Sequence, residues 1–473
     1  MLPAPPGRRA ITAAAALVIA SIPTLASANG RYPAAGQIAL DPADPSTLLV
    51  RTTYGVLVTR DAGHRWSWIC EGAVGYGGFE DPMVAFTGDG SILAGIFEGL
   101  SVSHDSGCQW DFAQGALANR YVIDLSVERA DPSRGVLIVS NSAGQDDGGA
   151  ATFLTQLWET GDDGKTWAQA GVNLPGDFLG LTVDAAPSDR KRVYLSGRLG
   201  PPTYPGVLER SDDRGATWQA WPIPGSDDTH LPYIGAIDPN DPSVVYVRLN
   251  GPSTDQLVVT KDGGKTWQPS FTTTGTMYGL ALSPDGATIA LGGDKDGVWT
   301  APTSTLQFTK VSSAGIKCLT WPAADKLYAC ADEFVDKFTA GVSADEGKTF
   351  TPVMHLQALC GPLACGPGTS AGKTCPALWG ATAANIGATP CDGATTGSGS
   401  TGSGAGSTGS GASGGSGGGS SAGSCALPGA AVGGFACAGS LLGAAAALAR
   451  RRGRRRPASS RGPAGAAETR ARG

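Results

Sequence analysis

The sequence predicts an all-β protein, a seven-bladed β-propeller built from four-stranded antiparallel blades. Three observations in the 473-residue chain carry that expectation. The turn pattern Ser/Thr-x-Asp-x-Gly-x-x-Trp/Phe occurs six times, and a degenerate seventh copy fills its one gap. The copies start 41 to 57 residues apart, the length of one four-stranded sheet with its turns. Between them lie alternating apolar runs separated by turn residues, with no convincing helical period in residues 29–392.

The six copies are Thr59-Asp61-Gly63-Trp66, Ser103-Asp105-Gly107-Trp110, Thr160-Asp162-Gly164-Trp167, Ser211-Asp213-Gly215-Trp218, Thr260-Asp262-Gly264-Trp267 and Ser343-Asp345-Gly347-Phe350. In the gap, Gly297-Val298-Trp299-Thr300 has the character of the strand before such a turn, and Phe308 falls where the aromatic belongs. Each residue type has work in a hairpin. An Asp carboxylate accepts bonds from turn N–H groups, Gly takes a positive φ, the hydroxyl adds a local bond, and the aromatic is buried between strands. Asp61, Asp105, Asp162, Asp213, Asp262 and Asp345 are therefore expected to be structural. Apolar runs such as Gln37–Leu40, Leu48–Val50, Val56–Val58 and Trp66–Ile69 supply four strands per unit, and residues 37–356 hold seven units.

This pattern resembles the Asp-box, or bacterial neuraminidase repeat, shared by sialidases, some xyloglucan-cleaving glycosidases, sortilin-type receptors and photosystem assembly factors. The resemblance implies that the box lies on the turn between third and fourth strands, away from the usual binding face. The useful face then carries the loops between second and third strands and the crossovers between blades. On it fall the candidate carboxylates Glu80, Asp81, Asp177, Asp332 and Glu333, and the candidate binding residues Arg51, Tyr54, Arg198, Tyr204, Arg248 and Tyr278. Phe97, Glu98, Arg120 and Tyr121 belong to the same set of loops. Carboxylates with interspersed aromatics suit a neutral glycan or a peptide, because sugar rings stack on flat apolar faces while polar groups bind hydroxyls. A true sialidase would need three arginines on the substrate carboxylate; Arg51, Arg198 and Arg248 are the available set, but the Arg-Ile-Pro start of that family is absent.

The ends of the chain read differently. Residues 1–28 have a charged start at Arg8 and Arg9, an apolar stretch and the small-residue site Ala26-Ser27-Ala28, as in a secretory signal peptide. Residues 29–356 are assigned to the propeller, and residues 357–392 to an appendix containing Cys360, Cys365, Cys375 and Cys391. Residues 393–424 contain only Gly, Ser, Thr and Ala, a flexible linker. Residues 425–456 comprise Cys425, an apolar run and an arginine block, and residues 457–473 a disordered tail. The order linker, Cys, apolar segment, arginines resembles the myxobacterial-type C-terminal sorting signal, which implies processing near Cys425 and display at the cell surface. A retained membrane anchor is the alternative.

Of the 35 basic residues, two lie in the signal and nine follow Cys425, beside one of the 41 acidic residues. The exported part thus carries 24 basic and 40 acidic residues, which argues against nucleic acid or an anionic membrane as partner. The ten cysteines fit an oxidising compartment. A Cys318–Cys330 bridge across a hairpin is expected, Cys70 and Cys108 are expected to join the first two repeats, and the four appendix cysteines allow three pairings. Their spacings lack a paired C-x₂-C signature, so no zinc site is expected. Asp294-Lys295-Asp296-Gly297 reads as a turn rather than a calcium loop. Neither metal nor cofactor is expected.

The sequence favours a monomeric, surface-displayed binding or receptor module for a glycan or protein ligand, touching membrane only through its C-terminal segment. A glycoside hydrolase, sialidase-like or xyloglucanase-like, is the first alternative and needs two matched carboxylates. An extracytoplasmic assembly or scaffold factor is the second. The repeat itself does not choose, because it is a structural device.

Overall fold

The computed structural model describes residues 31–389 and Cys391. The signal, linker, Cys425 and arginine-block readings lie outside the described residues. Twenty-eight strands form seven antiparallel four-stranded sheets, each contiguous in the chain. Blade one comprises Ala35–Leu40, Leu48–Thr52, Gly55–Thr59 and Trp66–Ile69. Blade seven comprises Ile316–Ala323, Lys326–Ala331, Ala340–Ser343 and Thr351–Met354. The first strands pack side by side in a ring, and that of blade seven rests on that of blade one. An all-β, seven-bladed propeller is thus the observed fold.

The core follows from strand position. Second and third strands have blades on both sides and are apolar on both faces; Leu48–Thr52, Gly55–Thr59, Ile92–Ile96 and Gly99–Ser103 are buried throughout. Fourth strands lie at the outer edge and are mostly exposed, as in Gln219–Pro222, except that of blade one, Trp66–Ile69, which is apolar and covered. First strands are tied to their neighbours through side chains reaching main chain. Gln37 exchanges two bonds with Val84, at 2.9 and 3.1 Å. Val183 N donates to Asp124 (2.9 Å) and Ile234 N to Thr182 (3.0 Å).

All six boxed turns repeat one bonding scheme. In blade three, Thr160 Oγ1 donates to Asp162 (2.8 Å), and Gly164 N and Thr166 N donate to Thr160 Oγ1 and Asp162 at 3.1 and 2.9 Å. Each turn needs two successive residues at positive φ, such as Asp163 (61°) and Gly164 (78°). These bonds hold the carboxyls of Asp61, Asp162, Asp213 and Asp262 below the usual range, and that of Asp345 down to about 2. In blade six a Thr303–Leu306 turn replaces the box, with Leu306 at φ 53° and the Phe308 ring 4.9 Å from that of Phe271.

Among the described residues, no strand is exchanged between the first and last blades to close the ring. A short strand, Leu359–Pro362, instead adds in parallel to the outer edge of blade one, beside Trp66–Ile69. The helix Ser370–Ile386 then lies against blades one and two, anchored by the disulfides Cys70–Cys375 and Cys108–Cys365. Ser370 Oγ accepts from Trp110 N (3.0 Å), and Ser370 N donates to Gln109 Oε1 (3.0 Å).

Three expectations are corrected here. Cys70 and Cys108 do not pair with each other; each bonds a cysteine of the appendix. Of the four appendix cysteines only Cys360 and Cys391 pair internally. The helix Ser370–Ile386 contradicts the absence of helix before residue 392. It is rich in Ala, Gly and Thr, contains Pro376, and buries only Ala371, Cys375, Thr382 and Ile386, so its apolar stripe is thin. Its N-cap Thr369 accepts from Gly372 N (3.1 Å), and two disulfides near its start replace the missing apolar face as its anchor. The Cys318–Cys330 bridge forms as expected.

Replacing Cys70 and Cys375 together by Ser is expected to cost about 2–4 kcal/mol in urea unfolding, because that bridge spans 305 residues. Replacing Cys318 and Cys330, separated by 12 residues within one hairpin, is expected to cost less. Gly164→Ala places a Cβ 2.8 Å from Leu93 Cδ2 at φ 78° and is expected to lose about 1–3 kcal/mol in the same measurement.

Candidate active site

The boxed turns share one end of the barrel with the turns between first and second strands. Ala62 N bonds Ser46 O (2.8 Å), Asp163 N bonds Ser133 O (2.9 Å) and Arg214 N bonds Lys191 O (3.0 Å). The opposite end therefore carries the second-to-third-strand loops and the blade crossovers, where the candidate residues fall.

Glu80 and Asp81 lie in the crossover from blade one to blade two. Asp81 is held by Arg31 Nη2 at 2.5 Å and faces Arg51 Nη1 at 3.6 Å. At the neighbouring Glu80, Arg31 Nη1 donates to the main-chain O at 3.3 Å. Glu80 Oε1 accepts from Phe97 N at 2.6 Å, but burial, reinforced by the charges of Glu98 and Asp81, pushes its carboxyl up to about 8. Glu80 thus holds its proton to higher pH than an ordinary carboxyl, and Glu98 beside it is exposed. Three aromatic side chains belong to the same loops. Phe79 is 79% exposed, between open Gly77-Gly78 and Glu80. Phe97 and Tyr121 lie with ring centroids 5.9 Å apart.

The other candidates are placed as follows. Asp332 caps the short helix Glu333–Asp336, accepting from Phe334 N (2.9 Å) and Val335 N (3.3 Å), and accepts from the Tyr32 hydroxyl at 3.0 Å. Glu333 accepts from Thr339 Oγ1 (2.8 Å) and Leu356 N (3.2 Å) and lies 2.9 Å from His355 Nδ1. Asp177 is exposed in the crossover to blade four, and its charge adds to burial in pushing Glu209 up to about 7. Arg51 is buried with Asp81. Arg248 is buried over the Tyr233 ring (5.2 Å), 3.9 Å from Asp255, and donates to Met277 O. Arg198 stacks on Tyr204 at 4.8 Å. Tyr54 and Tyr278 have their hydroxyls raised by burial, and Lys317 stands 5.6 Å over the Tyr278 ring.

Sequence reasoning listed Glu80, Asp81, Phe97, Glu98 and Tyr121 without singling out their cluster, and it missed Phe79. A bulky ring behind two glycines and before two acids was the available signal. It also missed Glu209, which sits inside a strand. A separate cavity of about 930 Å³ runs through the ring of first strands. Its wall includes Asp124 and Asp184, both raised chiefly by burial, Asp184 to about 6; Ser126 donates to Asp184 at 2.8 Å. Among the described residues, no group of three or more His, Cys, Asp or Glu side chains is arranged to hold a metal ion.

No family model matches the chain. A xyloglucanase of Paenibacillus sp. is 28% identical over 224 residues, an alignment covering 40% of this chain and 21% of that protein. The chain thus spans about a fifth of that relative. Among solved structures, an ancestral GH74 enzyme is similar at 15% identity and a TM-score of 0.47, covering 63% of this chain and 43% of the other. A GH74 xyloglucanase from Xanthomonas campestris is similar at 18% identity and a TM-score of 0.41, with 67% and 60% covered.

The raised Glu80 carboxyl has a consequence for stability. A group that binds its proton more tightly when folded favours the fold at low pH and opposes it as pH climbs from 4.5 towards about 8. Glu80→Gln is expected to melt like the unaltered protein at pH 4 and at progressively higher temperature than it between pH 5 and pH 8, in thermal unfolding followed by circular dichroism.

Proposed function

We propose that this chain is a glycoside hydrolase acting on a neutral polysaccharide of the xyloglucan class. The observation that carries the reading is the half-buried Glu80, which accepts from Phe97 N and whose carboxyl burial pushes up to about 8, next to the exposed side chain of Glu98 in loops that also carry Phe79, Phe97 and Tyr121. Glycoside cleavage requires one carboxyl group that still has its proton and a second that does not, flanking one sugar linkage. In this assignment Glu80 donates its proton to the leaving oxygen. Glu98 supplies the second carboxylate, on water or on the anomeric carbon, and the rings hold sugar faces by stacking. The xyloglucanase relative supports the substrate class. The reading of residues 1–28 and 425–456 as export and sorting signals agrees with a polymer met outside the cell.

The binding-module reading has an observation of its own. Asp81, Asp332 and Glu333 are all committed to ion pairs, a helix cap or main-chain bonds, which fits a rigid recognition surface. Turnover separates the two.

Incubated with xyloglucan, the purified protein is expected to release new reducing ends, with Glu80→Gln and Glu98→Gln each lowering kcat about 10²- to 10⁴-fold. Because the acid must be protonated, kcat is expected to fall as pH rises through about 8. Saturable xyloglucan binding without any release would replace the hydrolase with the binding module. Neither binding nor release would remove glycan recognition altogether.

A further inference from the structure

Apolar side chains exposed singly are ordinary, whereas exposed ones grouped together mark places where something binds. Among the described residues the large apolar side chains left exposed are Tyr32, Phe79, Phe112, Val172, Phe334 and Val335. Four of these six lie on the crossover face. Phe79 belongs to the Glu80 cluster. Tyr32 (55% exposed), Phe334 (49%) and Val335 (72%) form a second group on the far side of blade one.

This second group is built, not loose. The Tyr32 hydroxyl donates to Asp332, 3.0 Å from each carboxylate oxygen, and Thr53 Oγ1 donates to Tyr32 O at 2.8 Å. Its ring meets that of Phe334 edge to face, centroids 5.9 Å apart at 62°. Phe334 and Val335 sit on a helix turn pinned by the Asp332 cap, and Lys337 donates to Phe334 O at 2.7 Å. The two groups are also linked in space. Arg31 grips Asp81 while the next residue, Tyr32, grips Asp332, so one dipeptide straps blade one between them. Adjacent Cα atoms are about 3.8 Å apart, so even with both side chains extended the Asp81 and Asp332 carboxylates lie within ~25 Å.

We propose that Tyr32 and Phe334 are a remote sugar-binding platform, so that one polysaccharide chain lies across blades seven, one and two with its scissile linkage at Glu80. This rests on the hydrolase or glycan-binding reading above. Val335 widens the apolar floor, and exposed rings suit the flat faces of the sugars of a neutral polymer. A polymer would use both platforms, whereas an oligosaccharide of two or three units would fill only the one at Phe79.

Titration calorimetry of the full exported chain with xyloglucan polymer and with a short oligosaccharide cut from it tests the assignment. Tyr32→Ala and Phe334→Ala are expected to weaken polymer binding about 3- to 10-fold and leave the short ligand unchanged. Tyr32→Phe, which keeps the ring, is expected to restore most of the polymer affinity. If the unaltered protein binds both ligands and the Ala variants change neither, or weaken both equally, the remote platform is wrong and the glycan reading stands. If the unaltered protein binds neither ligand, the glycan reading fails and the platform with it.

Discussion

Everything in this molecule depends on closing a ring of seven sheets whose last blade shares no strand with the first. Inner strands at blades seven and one pack without a hydrogen-bonded overlap. A ring held only by side-chain packing at one joint opens there first, since that joint has the fewest bonds crossing it. The chain resolves this by continuing past blade seven. Leu359–Pro362 adds to the edge of blade one, Trp66 Nε1 donates to Val353 O of blade seven (3.0 Å), and two disulfides fasten the following segment to blades one and two. On the opposite face, Tyr32 bonded to Asp332 crosses the same joint.

The closure shapes the site as well. Arg31 and Tyr32 take up Asp81 and Asp332, two of the five carboxylates that the loops offer, and Glu333 is spent holding the Leu356 main chain and Thr339. What remains available at blades one and two is Glu80 with Glu98. Blade one is therefore braced on both sides of the crossover that carries Glu80. A proton donor needs that rigidity, because proton transfer to a bound linkage depends on hydrogen-bond geometry.

Local signals were legible in the sequence and distant ones were not. The six hairpins are written within eight residues each, since hydroxyl, carboxylate and glycine act on their own turn, so blade number could be read directly, whereas the face rested on a resemblance to a repeat family. The Cys318–Cys330 bridge was legible for the same reason. Cys70 and Cys108 were misassigned because their partners lie 305 and 257 residues away, and pairing at that range is settled by ring closure. The helix at Ser370–Ile386 was illegible because covalent anchors replace its apolar stripe. At the site, residue types could be listed but not their states. Whether Asp332 is a catalyst or a cap depends on a four-residue helix that no periodicity reveals.

Glu80 and Asp81 show why position decides chemistry. The two adjacent acids face different surroundings: two guanidinium groups stand at Asp81, whereas Glu80 meets a main-chain N–H and further negative charge, and burial pushes its carboxyl up. A raised carboxyl alone does not mark a site, because Asp124 and Asp184 are raised too, and Asp124 serves to bond Val183 across two inner strands. Access makes the difference. Asp124 is 2% exposed within the ring, whereas Glu80 borders an exposed carboxylate and an aromatic ring that packs against little else. An acid that opposes folding at neutral pH, placed where a ligand can reach it, is retained at a cost that the fold alone does not explain.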